Sequence, residues 1–214
     1  MTNIPDNGKW GSYNGRSPLV SFCNKYHLLT GVMEALINAQ TFPVHYRKHS
    51  FIVTPNDTNR YIYLIMKGVV RGFYKDSGFE ITTWICHENE IVGAINNPWK
   101  DEPSHGYIQA LEDVELIAVP RELITMLYGN FSEADIIGRK MMELYYRVAY
   151  DRALICQVRS ATGRYRYLLK VFPWMIGRVP LIFIASFLGL RLETLSRTRA
   201  SEIRKKTIDH GLNL

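Results

Sequence analysis

Three polar side chains near the C-terminus share one face of a predicted helix: Glu193, Ser196 and Arg197 stand at positions i, i+3 and i+4. Arginine can donate two hydrogen bonds to guanine, glutamate can accept one from the cytosine amino group, and serine can bond several base edges. We therefore predict that these three contact DNA bases. The flanking residues that suit phosphate contacts are Arg191, Thr194 and Arg199.

The segment around that face has the pattern of a helix-turn-helix. A short apolar helix over 181–188 precedes a turn at Gly189, where a left-handed helix cap is required, and a polar, basic helix follows over 192–204. Two packed helices of an enzyme could show the same spacing. The apolar positions of the second helix are predicted to face inward, and they are Leu192, Leu195 and Ile203.

Charge divides the chain into two parts. The 214 residues carry a net charge of +6, but residues 159–206 hold eleven Lys and Arg against two glutamates, a net of +9, whereas residues 1–158 are slightly acidic. A basic folded segment with good apolar content favours a polyanionic partner. A solvated basic face without a partner is the plainer interpretation.

The elements before the basic segment are short strands and one long helix. Closely spaced β-branched and aromatic runs between Phe42 and Val119, separated by turn residues, predict a β-sandwich or barrel. Helical spacing precedes them over residues 18–40, with a break at Gly31. The helix after them has no Gly or Pro between 139 and 162, a length that favours a self-pairing seam over simple packing on its own domain. Its predicted seam residues are Ile137, Met141, Leu144, Val148 and Ile155.

Three stretches resemble the Crp/Fnr superfamily of bacterial transcription regulators, in its Bacteroidetes-type form. They are Thr162-Gly163-Arg164, the run from Val179 to Leu190, and Glu-Thr-Leu-Ser-Arg at 193–197. The resemblance implies an α+β chain: a jelly-roll, cyclic-nucleotide-binding-like double-stranded β-helix, then a long dimerisation helix and a winged helix-turn-helix. The predicted divisions are a flexible N-terminus over 1–17, the β-roll over 18–130, the dimerisation helix over 131–158 and the DNA-binding domain over 159–214.

The family's cyclic AMP signature is missing. Members that bind cyclic AMP carry a Glu after the Gly of a short turn, where this chain has Ala94, and an Arg-Ser pair where it has Ser104-His105. A buried phosphate without a guanidinium would be poorly compensated, so cyclic AMP is not expected. Another effector is expected to bind at the β-roll, although aromatic strand residues are also common in plain cores. The predicted pocket residues are Tyr63, Trp84, Gly93, Ala94, Asn96, Ser104 and His105.

Cofactors and metals are not expected. Cys23 stands alone where Fnr-type proteins have a cysteine cluster, and Cys86 and Cys156 are more than 60 residues from it and from each other. Few cysteines and a polar N-terminus without an apolar leader segment favour the reducing cytoplasm, and no membrane span is predicted.

The predicted partners are double-stranded DNA, a second copy of the chain and, by resemblance, RNA polymerase. The resemblance implies a homodimer on an inverted repeat with TTGA-like half-sites, under the control of an effector at the β-roll. One alternative is a ligand-sensing module whose basic segment binds a protein. Another is a cupin-like metal enzyme, although no HExxH, Ser-His-Asp or phosphate-loop pattern occurs.

Overall fold

The computed structural model of the chain describes residues 8–55, 60–93 and 106–211. The helices are α1 (Pro18–Asn24), α2 (Gly31–Gln40), α3 (Arg121–Asn130), α4 (Ser132–Gln157), α5 (Ala161–Val171), α6 (Leu181–Phe187) and α7 (Leu192–Gly211). The strands are β1 (Phe42–Tyr46), β2 (Phe51–Val53), β3 (Tyr61–Lys67), β4 (Val70–Asp76), β5 (Phe79–Cys86), β6 (Ile91–Gly93), β7 (Tyr107–Ala110) and β8 (Val114–Pro120). No helix in this part of the chain is long and apolar enough to cross a membrane.

The strands form two four-stranded sheets, in the orders β1-β8-β3-β6 and β2-β7-β4-β5. Strand pairs such as β1 with β8 and β3 with β6 are antiparallel, and Phe42 lies opposite Ala118 in the first pair. The turn between β3 and β4 requires Gly68, because its φ is +94° and a Cβ there would lie 2.7 Å from the Asp113 carbonyl oxygen. This arrangement confirms the predicted jelly roll.

Two apolar clusters hold the β-roll together. One contains inward-facing strand residues such as Tyr63, Ile65 and Leu116. The other joins Leu64 and Ile117 to residues of α1, α2 and α3. Alternating strand residues point to opposite sides of a sheet, so β3 and β8 contribute to both clusters.

The N-terminal segment corrects one expectation. Residues 1–17 were predicted to be flexible, but within the described part Trp10 is buried in the second cluster. Its indole Nε1 donates a hydrogen bond to the Asn38 carbonyl oxygen at 3.1 Å. Ser17 is also buried, 2.8 Å from the Thr41 hydroxyl. The prediction was based on the polar, glycine-rich composition of this segment, which does not show that its tryptophan is packed.

The chain divides into two compact units. The N-terminal unit comprises Met1–Tyr74 and Trp84–Leu144, and the C-terminal unit comprises Lys75–Thr83 and Tyr145–Leu214. The division therefore falls inside α4, whereas the sequence predicted one between the β-roll and this helix and another after it. The C-terminal unit also includes the tip of the β4–β5 hairpin, which no sequence pattern indicated.

The C-terminal unit is helical throughout its described residues after Tyr145. The helix-turn-helix pair is present as α6 and α7, but no strand occurs between 159 and 211, so the wing of the predicted winged domain is not among the described elements. Between α5 and α6, a 3-10 turn over Pro173–Met175 occupies part of the connection.

Candidate nucleic-acid interface

The turn between α6 and α7 is fixed by a complete helix cap. Gly189 has φ +62°, its N–H donates to the Ser186 carbonyl at 3.1 Å, and the Leu190 N–H donates to the Ala185 carbonyl at 2.9 Å. These two bonds are the Schellman pattern that ends a helix at a left-handed glycine. The cap sets where α7 begins, and it confirms the role predicted for Gly189.

The start of α7 rests on the apolar core of the C-terminal unit through one residue. Leu195 is completely buried, as are Leu168 of α5 and Leu188 after α6. Phe172 and Phe187 pack edge to face beside them, with ring centroids 6.0 Å apart. Leu195 therefore anchors α7 so that the opposite side of the helix faces solvent.

All six residues predicted to contact DNA lie on that solvent side. Glu193, Ser196 and Arg197 are exposed, and so are the predicted phosphate-contacting residues Arg191, Thr194 and Arg199. The prediction that Leu192 and Ile203 face inward is wrong, because they are 38% and 54% exposed. In this half of α7, one buried leucine is enough to pack the helix on the core, since α5 and α6 supply the other core residues.

Arg164 connects the end of α4 to the helix-turn-helix. Its Nε donates to the Val158 carbonyl oxygen at 2.8 Å, and one terminal nitrogen donates to Leu188 O at 2.8 Å and Gly189 O at 3.3 Å. Carbonyls at the ends of two helices lack partners of their own, and a guanidinium satisfies them well. From the sequence, Arg164 was noted only as a member of the Thr162-Gly163-Arg164 motif, with no structural role predicted for it. Its position in Thr162-Gly163-Arg164 was the available signal.

A second arginine joins α5 to α7. Arg166 forms two parallel bonds with Glu202, Nε to Oε2 at 2.6 Å and a terminal nitrogen to Oε1 at 3.0 Å. This charge-assisted pair raises the pKa of the Arg166 guanidinium. Glu202 therefore faces Arg166, and its Oε1 also lies 3.9 Å from Lys205 Nζ.

The hairpin tip covers part of α6 within the C-terminal unit. The Ser186 hydroxyl accepts a hydrogen bond from Thr82 N and donates one to Glu80 O, both at 2.9 Å. Arg152 donates to Thr82 O at 2.8 Å, and its guanidinium stands 4.6 Å from the centre of the Phe187 ring. Ser186, near the end of α6, therefore serves as a contact for the hairpin.

The predicted dimer seam on α4 needs correction. Ile137 and Ile155 are 6% and 0% exposed, and Met141 packs against the second apolar cluster. Val148 is half-buried and only Leu144, at 48%, is well exposed. That stripe largely faces the protein's own interior, because it packs on the elements that precede and follow α4.

The opposite side of α4 is exposed and carries a different apolar stripe. Met142 and Tyr146 are 68% and 74% exposed. The exposed residues at successive spacings of four, three, four and three are Met142, Tyr146, Ala149, Ala153 and Cys156. This alternation is the heptad spacing of a coiled-coil seam. We refer to these five residues as the outer seam. Sequence reasoning missed it because both sides of α4 are apolar.

The predicted effector pocket is only partly described. Tyr63 is buried in the first cluster and Trp84 packs against it. A Cβ at Gly72 would overlap the Trp84 indole, so this indole fills the space beside β4. Gly93 pairs with Ile62 at the sheet edge. The remaining predicted pocket residues lie outside the described residues, and they are Ala94, Asn96, Ser104 and His105. Within the described ranges, no group of three His, Cys, Asp or Glu is placed to hold a metal ion.

Known proteins match this architecture. A family model described as the cyclic nucleotide-binding domain matches residues 43–130. A solved structure of a crp/fnr-family protein from Eubacterium rectale is 18% identical, with a TM-score of 0.63 over 82% of this chain and 85% of that chain. The chain therefore has the fold of that solved structure. FixK2 from Bradyrhizobium japonicum has the same fold, at 22% identity and a TM-score of 0.66 over 78% of this chain and 86% of that one.

A curated relative is similar over a shorter stretch. The HTH-type transcriptional regulator ArcR of Staphylococcus epidermidis is 30% identical over 96 residues. That stretch is 44% of this chain and 41% of the relative, so the chain matches less than half of the relative's length.

Proposed function

We propose that this protein is a cytoplasmic, non-enzymatic transcription regulator that binds an inverted-repeat DNA site as a homodimer. The observation that carries the proposal is the exposed face of α7, where Glu193, Ser196 and Arg197 stand together over the buried anchor Leu195. The N-terminal part of a recognition helix is the part that reaches base edges in the major groove. Contact with RNA polymerase is supported by family resemblance alone.

Charge supports DNA as the partner. The net of +9 over residues 159–206 gives a long-range attraction to phosphates. Glu202, one of only two acids in that stretch, is paired with Arg166, and the other, Glu193, lies on the proposed base-reading face. An acid among arginines fits the reading of cytosine next to guanine better than it fits general phosphate binding.

Fluorescence anisotropy tests the proposal directly. The full-length protein is titrated into a duplex with TTGA and TCAA half-sites about one helical turn apart, and into a shuffled duplex, near physiological salt. We expect specific binding tighter by about 4 kcal/mol or more, with affinity falling steeply as salt rises. Weak, equal binding that random-sequence selection fails to improve would contradict the proposal. A response to salt that stays flat would favour a protein partner for the basic segment.

The homodimer is proposed to form through the outer seam of α4. Two parallel copies of this helix bring equivalent residues opposite each other across a two-fold axis. Cys156, the last residue of the seam, would then face its own counterpart. Mild oxidation should convert the protein into a disulfide-linked dimer, and the Cys156→Ser variant should stay uncrosslinked on a denaturing gel. Crosslinking that needs Cys23 or Cys86, both partly buried, would contradict this pairing.

Cyclic AMP is proposed not to be the effector. The sequence has Ala94 and Ser104-His105 where members of the resembled superfamily that bind cyclic AMP carry a Glu and an Arg-Ser pair. Titration calorimetry with cyclic AMP should give no saturable heat. Binding tighter than about 100 μM would overturn this part of the proposal.

A further inference from the structure

A cavity of about 110 Å³ lies in the N-terminal unit, outside the interior of the two sheets. Its walls come from α1, α2, strands β3, β6 and β8, α3 and the first turns of α4. Residues from opposite walls include Cys23, Met33, Ile62, Ile137 and Met141. No charged side chain lines it.

The lining is too apolar to hold water well. A buried water needs two to four polar partners, and the only side-chain candidates among the lining residues are the Cys23 thiol and the Tyr128 hydroxyl. Burial raises the pKa of the Cys23 thiol to about 12, which is consistent with a dry surrounding. An apolar cavity of roughly 150 Å³ in another protein stays dry and binds benzene or xenon, so this one has the size range of a small ligand site.

We propose that this cavity is a binding site for an uncharged, mainly hydrocarbon molecule of about the size of benzene. The apolar lining gives such a molecule favourable contacts, whereas a nucleotide or metal ion would lose its hydration there without gaining polar partners. The wall formed by Ile137, Gly138 and Met141 belongs to α4, so an occupant touches the helix that also carries the outer seam. The site does not depend on DNA binding by α7.

The walls explain why the space is not filled by the chain itself. A Cβ at Gly138 would overlap the Tyr128 hydroxyl, so this position of α4 stays without a side chain. Ala134, one turn earlier, is buried and also small. Two small residues on successive turns keep α4 back from Cys23 and Met33 on the opposite side of the cavity.

Methionine methyl NMR of the full-length protein provides the test, with benzene as the probe. Met33 and Met141 line the cavity, whereas Met142 lies on the exposed side of α4 and Met175 is buried in the C-terminal unit. We expect saturable shifts of the Met33 and Met141 signals and constant signals from the other two. No shift up to the solubility limit of benzene, or equal shifts of all four, would overturn the proposal.

Variants that fill the cavity make the test specific. Cys23→Leu adds bulk from α1, and Ala134→Val does so from α4, so one result does not depend on a single variant folding. Each should weaken benzene binding about tenfold or more, since even one methylene changes pocket affinity by that order. Val32→Leu adds bulk on α2 at a residue that is 62% exposed, and it should bind benzene as the wild type does. Unchanged affinity in folded Cys23→Leu and Ala134→Val proteins would place the probe elsewhere and contradict the proposal.

Discussion

Helices α4 and α7 both expose one side to solvent, but only in α7 do the residue types reveal which side. In the first half of α7 the exposed side is polar and basic, and Leu195 alone is fully buried. In α4 apolar residues occupy both sides: Ile155 is buried, while Tyr146 is 74% exposed. Hydrophobic periodicity therefore identifies a buried side only where the opposite side is polar. Where both sides are apolar, one is free for a second chain.

The largest expected effect comes from the buried side of α4. Ile155→Ala removes atoms from a residue with no exposed surface, so we expect the free energy of unfolding to fall by about 2–5 kcal/mol. Urea unfolding at fixed protomer concentration measures this loss. Leu144→Ala, at a residue 48% exposed, should cost clearly less. Equal losses of stability in the two variants would mean that Ile155 is no more tightly packed than Leu144.

The two possible dimer seams are separated by matched charge substitutions. Tyr146→Glu places like charges opposite each other if the outer seam pairs, so the dimer dissociation constant should rise about 100-fold, roughly 2.7 kcal/mol. Leu144→Glu introduces the same charge on the other side of the helix and should leave the dimer intact. Sedimentation equilibrium distinguishes the two variants. A monomeric Leu144→Glu protein with a dimeric Tyr146→Glu protein would restore the seam first predicted from sequence.

The exposed side of α7 is tested by removing one guanidinium. Arg197→Ala should weaken operator binding by about 1–3 kcal/mol and relax the preference at the guanine it contacts. Lys170→Ala, at an exposed residue of α5, removes the same charge without changing α7 and serves as the control. Anisotropy titrations with base-substituted duplexes measure both. Equal losses on specific and shuffled DNA would exclude Arg197 from base reading.

The pH dependence of the unfolding free energy tests how well the Cys23 thiol is buried beside α4. The pKa of Cys23, ordinarily about 9, is about 12 in the folded chain, so above pH 9 its thiol ionises in the unfolded state first. The stabilising contribution is complete below pH 9 and is lost as pH rises toward 12. Between pH 9 and 10, unfolding free energy should fall about 1 kcal/mol more in the wild type than in Cys23→Ala. Parallel curves for the two proteins would indicate that this thiol is solvated.

The smallest expected effect is at a phosphate contact. Arg199→Ala should weaken specific and shuffled duplexes alike and reduce the slope of log affinity against log salt by about one. Titrations at four or more salt concentrations provide the slope. A loss confined to the specific duplex would give Arg199 a base-reading role instead.

Much of the architecture could be predicted because its signals are local. Strands β3 and β5, Tyr61–Lys67 and Phe79–Cys86, lie in the stretch predicted to form a β-sandwich or barrel, and turn residues border each of them. The cap at Gly189 and the exposed face of α7 also follow from short-range patterns. Strand β6 is only three residues long, too short for alternation to be visible, and it was not predicted.

The parts that could not be predicted depend on contacts between distant segments. The burial of Trp10 requires Asn38, and the hydroxyl contacts of Ser186 require a hairpin about 100 residues earlier. Arg71 is another case: it is 2% exposed, donates two bonds to Gln109 of the neighbouring strand, and stands 4.1 Å from the centre of the Phe73 ring. An arginine on a strand is ordinarily expected at the surface, and only its pairing across the sheet explains its burial.

The C-terminal unit is made of two separate pieces of chain, and this limits how it can be transplanted. A fragment that starts at Tyr145 keeps α5, α6 and α7 but omits Lys75–Thr83. It would leave Ser186 and Arg152 without the backbone groups of Glu80 and Thr82. A chimera that grafts α7 onto another domain must therefore carry a compatible hairpin with it. The segments that must be transferred together are those in contact in the structure, even though they are far apart in the sequence.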